Sequence, residues 1–191
     1  MAVTTLDPKT ALVVIDLQNG ILAAPGAPYP TSDVLARNVR LADAFRTRDL
    51  PVVLVNVTFA RDGADALPGR TDDGSMAGRE LPEGWDVLSA ELATGPRDIH
   101  VTKRNWSAFY GTDLDLQLRR RGVTQIVLTG IATSIGVEST ARQAHEHGYH
   151  VTLATDAMTD MDAEAHANSV ERIFPRLGET GSAEDVLALL K

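Results

Sequence analysis

The stretch 125–147, QIVLTGIATSIGVESTARQAHEH, opens on the apolar, β-branched-rich Ile126, Val127 and Leu128, breaks at Gly130, and continues with Ile135, Val137, Ala141 and Ala144 at roughly helical spacing. It reads as a strand, an elbow and a helix in one run, the repeating unit of an α/β sheet. The first N–H groups of such a helix have no intrahelical partner, and the helix dipole is positive there. The elbow from Thr133 to Val137 is therefore expected to welcome a polar or anionic group.

Upstream, ALVVID (11–16) is a continuous apolar run closed by an acid, the pattern of a parallel strand buried on both faces. AAPGAPYP (23–30) forbids regular structure. Thr31 or Ser32 then caps a helix with Leu35, Val39, Ala42 and Phe45 on one face. VVLVNVTF (52–59) is a second strand, followed from Ala60 to Gly84 by a glycine-rich segment with no period, whose Arg70 and Arg79 are candidate partners for a carboxylate. A loop of that length inside a domain suits a functional lid, although simple disorder fits it too.

Ile99 to Thr102 is a short third strand leading to Lys103, and RNWSAFYG (104–111) places Trp106, Phe109 and Tyr110 beside that lysine. Thr112 caps a helix over 113–121, His150 to Ala154 is a fifth strand, and Asp162 opens a helix to about Phe174. Leu177 to Thr180 is a weak sixth strand, and Ser182 with Asp185 makes a capping box on the last helix. Alternating strands and helices without repeat or linker mean one domain over 1–191, a three-layer αβα, doubly wound parallel sheet. Ligands of such sheets bind beyond the carboxyl ends of the strands, so Asp16, Lys103 and the elbow are the candidates for chemistry.

Composition narrows the function. The net charge of −8, with no basic block beyond 119–121, argues against nucleic acid. The sequence has no apolar run long enough to span a membrane, and its N-terminus lacks the features of a signal peptide, which points to a cytoplasmic protein with no membrane partner. Cysteine is absent, which removes disulfides, thiolate metal sites and any thiol nucleophile.

Asp16 at the rim of an apolar core and Lys103 at another strand end make a usable acid/base pair, although a turn aspartate and a solvated lysine would look the same in sequence. Residues 132–136, Ala-Thr-Ser-Ile-Gly, resemble a degenerate G-x-S-x-G, and Asp156 or Asp160 followed by His166 supplies a Ser, Asp, His order for Ser134. His145, His147 and His150 do not read as a metal tract, because helical residues two apart point to nearly opposite sides. Nor does GIATSIG have the spacing of a phosphate loop.

Three motifs in order, VVIDLQ (13–18), VTKRNWSAFYGTDL (101–114) and LTGIATSIGVESTARQA (128–144), resemble the isochorismatase-like hydrolases, or cysteine hydrolase superfamily, over nearly the whole chain. The resemblance implies a six-stranded sheet of order 3-2-1-4-5-6, a homo-oligomer (dimer or tetramer), and an Asp, Lys and Cys constellation. The Asp maps to Asp16 and the Lys to Lys103. The cysteine position maps to Gly136, the seventh residue counted from Gly130, so the usual nucleophile is missing.

Isochorismatases of this family also carry glycine there. They protonate a vinyl ether at carbon and let water capture the cation. By that analogy Asp16 is the general acid/base and Lys103 orients it. Gly136 leaves room for a small, acidic, cyclic or enol-ether substrate. Gln18, Trp106, Phe109, Tyr110 and the elbow residues Ile131, Ala132, Thr133, Ser134 and Ile135 are the expected substrate contacts. A cis peptide is implied between Ile131 and Ala132. Isochorismatases often carry Ala-His where this chain has Thr133-Ser134, and the nicotinamidases' metal-binding residues have no counterpart in AAPGAPYP. No metal or cofactor is expected. The alternatives are a catalytically silent small-molecule binder and a Ser134-dependent hydrolase.

Overall fold

In the structure, a computed structural model that describes residues 3–67, 69–72 and 80–190, six parallel strands form one sheet. They are β1 (Thr10–Ile15), β2 (Val52–Val57), β3 (Ile99–Lys103), β4 (Gln125–Ile131), β5 (His150–Thr159) and β6 (Glu179–Gly181), in the order β3-β2-β1-β4-β5-β6. β1 lies between β2 and β4, and all six of its residues are buried. Burial on both faces is why it reads as an unbroken apolar run rather than an alternating one.

The two faces separate with the period of two that a strand imposes. Ala11, Val13 and Ile15 pack with Leu114 and Leu118 of α3 (Leu114–Arg120) and with Val137, Ala141 and Ala144, which begin and line α4 (Glu138–Glu146). Leu12 and Val14 face the other way, onto Val34, Leu41 and Phe45 of α2 (Thr31–Thr47), which follows the short α1 (Asn19–Leu22), and onto Val186 of α6 (Ala183–Leu189). Among the described residues no helix is long and apolar enough to cross a membrane.

Several local expectations change. The N-cap of α2 is Pro30, with no side-chain cap. Thr31 is already helical and turns its hydroxyl to the Leu22 carbonyl instead. The helix expected over 113–121 spans Leu114–Arg120, and Thr112 does accept from the Leu114 N–H (3.2 Å). β5 does not stop at Ala154. It continues to Thr159 after a register shift between Leu128 and Gly130 on β4. The helix opened by Asp162 is α5 (Ala163–Asn168), followed by a π-helical turn (Ser169–Ile173) and a 3-10 turn (Phe174–Arg176). The sixth strand sits slightly later than expected, at Glu179–Gly181, and the capping box of Ser182 with Asp185 is present. Residues described within 60–84 form neither helix nor strand; Arg70 is exposed, and Arg79 lies outside the described residues.

Candidate active site

The strand order brings three carboxyl ends together. Ile15 pairs with Gly130 across β1 and β4, and Val57 pairs with Lys103 across β2 and β3. Asp16 is the first residue beyond β1 and takes φ 53°, a left-handed conformation that side-chain-bearing residues avoid and that recurs at functional turns. Lys103 stands two strands away, roughly 10 Å at ordinary strand spacing, and its long stem reaches over the end of β2. The two meet with Nζ 2.7 Å from Oδ2, both side chains nearly fully buried. Nζ also donates to the Asn105 carbonyl (3.2 Å).

Burial pushes the Asp16 carboxyl up from 3.8 to about 6, and the Lys103 charge works against that rise without cancelling it. Asp16 Oδ1 is buried with no hydrogen-bond partner among the described residues. One oxygen is thus held by the lysine while the other is left unpaired.

The elbow folds over this pair. The Ile131–Ala132 peptide is cis, and Thr133–Val137 forms a π-helical turn that runs into α4. A Cβ placed on Gly136 would sit 3.4 Å from Asp16 Oδ2, 3.6 Å from Lys103 Nζ and 3.0 Å from Ile15 Cγ2. Position 136 is thus in contact with both charges. Gly130 lies just behind, at φ 115°, where a Cβ would be 2.1 Å from the Ile15 carbonyl oxygen.

The elbow amides are not free as expected. The Ser134 N–H donates to Asp160 Oδ2 (2.7 Å), and the N–H groups of Ile135 and Val137 donate to the Ala132 carbonyl (3.2 and 3.1 Å). A carboxylate supplied from just beyond β5 satisfies the Ser134 amide before any ligand arrives. The Ser134, Asp, His arrangement is not formed either. His166 Nδ1 lies 2.9 Å from the Thr133 hydroxyl, and burial holds this imidazole below its usual range, with Asp160 opposing the shift. Thr133 and Ser134 support the elbow and do not line the cleft.

The cleft above the ion pair encloses about 650 Å³, a size suited to a small molecule. Asp16, Lys103, Ile131, Ala132, Ile135 and Gly136 reach it from the expected set, together with Trp106. Phe109 and Tyr110 do not. Phe109 is turned into the core, 5.9 Å from the ring of Tyr149, and Tyr110 points to solvent at 62% exposure. Irregular backbone between β3 and α3 sends neighbouring aromatic side chains in different directions, so proximity to Lys103 in sequence did not place all three on the wall.

Gln18 is also removed from the substrate set. Its side chain is fully buried, donating to the carbonyls of Val57 (3.0 Å) and Trp85 (3.3 Å) and accepting from the Val57 N–H (2.9 Å). It fastens the start of the long loop to its end. Sequence reasoning missed Ile21, Phe59, Trp85 and Met161, all on the wall. The one available signal was Gly20. A Cβ there would lie 1.8 Å from the Trp85 ring, so this glycine is the seat of that indole. Two further histidines serve structure: His147 packs on Phe109 at 5.1 Å, and His145 Nδ1 lies 3.2 Å from the Leu177 carbonyl.

Residues 10–185 match the Isochorismatase domain family. The isochorismatase family protein YecD of Escherichia coli O157:H7 is 49% identical over 181 residues, 95% of this chain and 96% of that protein. The ureidoacrylate amidohydrolase RutB of Methylobacterium radiotolerans is 31% identical over 212 residues, 96% of this chain and 82% of that protein. Among solved structures, an isochorismatase family protein from Burkholderia thailandensis is similar with a TM-score of 0.92 at 49% identity, covering 97% of each chain. A domain match over most of the sequence and relatives that cover it almost end to end lead to one conclusion: the chain belongs to the isochorismatase family.

Proposed function

We propose that this isochorismatase-family hydrolase cleaves an enol-ether bond of a small molecule without a covalent intermediate, with Asp16 as general acid/base and Lys103 as its fixed counter-ion. The observation that carries the reading is the position of Gly136. A Cβ there would touch both members of the ion pair, at the position that the resemblance to the cysteine hydrolases gives to the nucleophile, and this residue has no side chain in a chain with no cysteine. The amide chemistry named for the RutB relative is assigned in cysteine members of the superfamily to a thiolate, and nothing at 136 replaces one.

An enol ether needs only a proton and water. The protonated Asp16 gives its proton to the terminal carbon of the double bond, whose electron pair becomes the new C–H bond. The ether oxygen shares the resulting positive charge. Water adds to that cationic carbon and returns a proton to the Asp16 carboxylate. The hemiacetal or hemiketal then breaks its C–O bond to give a carbonyl compound and an alcohol. Lys103 stabilises the carboxylate that exists between the two proton transfers and keeps it aimed.

A buried acid near 6 is partly protonated at neutral pH, which suits it to give and regain a proton. Because the protonated form starts the reaction, kcat/KM for phenyl vinyl ether is expected to be flat below about pH 6 and to fall about tenfold per pH unit above it. The same assay run in D2O, with acetaldehyde trapped as it forms, should show one deuterium in its methyl group. A rate that rises between pH 6 and 8, or product methyl without solvent deuterium, would exclude protonation at carbon by Asp16.

A further inference from the structure

We infer that the cleft selects an electrically neutral, largely apolar ligand of about the size of one substituted ring, which presents a single polar or protonatable centre to Asp16, and that it discriminates against organic acids. The inference rests on the enol-ether reading for the site it concerns, and it departs from the acidic substrate that the sequence suggested. Three observations support it.

The first is charge. Among the described residues that line the cleft, only Asp16, Lys103 and Arg104 are ionic. Asp16 and Lys103 neutralise each other at 2.7 Å, and Arg104 Nε is held 2.6 Å from Asp65 Oδ2. No cation in this set is left without an anionic partner for a ligand carboxylate. The chain's net charge of −8 supplies no overall attraction for anions either.

The second is the wall. Phe59, Trp85, Trp106, Ile135 and Met161 surround the ion pair, and Leu67 completes the described part of the rim. Leu67, Trp106, Ile135 and Met161 are large apolar side chains left 42–57% exposed. Stranding them in water is unfavourable, and an apolar ligand would cover them.

The third is the placement of polar atoms. Asp16 Oδ1 is buried, lacks a partner and belongs to a residue that lines the cleft. The elbow N–H of Ser134, which would otherwise attract an anion, is occupied by the Asp160 carboxylate. Asp16 therefore offers an unpaired acceptor, and the Ser134 amide already has an anion of its own. A carboxylate entering this cleft would lose its water and find, among the described lining residues, no unpaired cation to replace it.

The chain has two tryptophans, and both line the cleft, so intrinsic fluorescence reads occupancy directly. The test titrates the full-length protein at neutral pH with phenyl vinyl ether, 4-(vinyloxy)benzamide and 4-(vinyloxy)benzoate. The last two match in shape and differ in charge. Phenyl vinyl ether and the benzamide are expected to quench saturably, and the benzoate to bind at least about tenfold more weakly than the benzamide. A benzoate that binds within tenfold of the benzamide, or more tightly, overturns the inference, as does failure of all three to quench. The fate of the bound ether separates the two readings. Saturable binding with the expected charge preference but no release of phenol sinks the hydrolytic reading and leaves the ligand class standing. Release of phenol with the benzoate preferred does the reverse.

Discussion

Asp16→Asn is expected to lower enol-ether hydrolysis by about 10³-fold or more, the range that a positioned general acid contributes. The carboxamide keeps the shape and can still bond to Lys103, but it has no proton to deliver at carbon. Binding should change little, because the apolar walls are untouched. The substitution also leaves the ammonium of Lys103, a residue only 3% exposed, without its counter-ion, and an uncompensated buried charge is destabilising. A loss of activity from simple unfolding would therefore look similar in a rate assay alone. The double variant Asp16→Asn, Lys103→Met removes both charges and is expected to recover stability while staying inactive. Fluorescence titration and urea unfolding on both variants make the distinction. Wild-type turnover by a folded Asp16→Asn protein would end the assignment of Asp16 as the acid.

Gly130→Ala is expected to destabilise the protein by on the order of 4 kcal/mol or more, or to abolish soluble expression, although it adds only a methyl group. Two causes add. The residue adopts φ 115°, which L side chains rarely tolerate, and the new Cβ would stand 2.1 Å from the Ile15 carbonyl oxygen and 2.6 Å from its nitrogen. Those are backbone atoms of the central strand, which cannot move aside as a flexible side chain would. Gly148→Ala is the natural control. It shares a positive φ, 80°, but nothing lies within 4 Å of its Cβ, so only the conformational cost of about 1–2 kcal/mol applies. Equal stabilities of the two variants in urea would show that the close approach of β4 to β1 contributes nothing.

The fold was largely legible because a doubly wound parallel sheet writes itself as apolar runs separated by helical periods. ALVVID and VVLVNV correspond to strands buried almost throughout, and the register that joins Ile15 to Gly130 sets Asp16 beside the elbow. Asp16 and Lys103 stood out as ionic residues at strand ends. What could not be read depended on partners distant in sequence or on irregular backbone. The elbow amides look free when an ordinary helix start is assumed. In the structure a π-helical turn and Asp160, 26 residues further on, satisfy them. The second half of β5, Thr155–Thr159, lies beyond a register shift and carries the acid Asp156, so no apolar pattern marks it. Trp85 and Met161 come from turns, where no periodicity states which way a side chain faces. Gln18 beside an apparent active-site acid reads naturally as a substrate contact, and only the backbone around Val57 and Trp85 reveals its bonds.

That glutamine also decides how much change the loop beside the site can absorb. Gln18 ties Val57 to Trp85, Gly20 N–H donates to the Trp85 carbonyl (2.9 Å), and the Thr58 hydroxyl lies 2.6 Å from Asp86 Oδ2. The two ends of the β2–β3 connection are thus cinched together at its root, close to the sheet. Closing a loop whose ends are already joined adds only a slowly growing entropy with length. A change of length between the tied ends would therefore cost little and leave β1, β3 and the elbow in place. The part of the wall that this connection supplies, Phe59, Leu67 and Trp85, thus hangs from a root fixed independently of Asp16, Lys103 and the elbow.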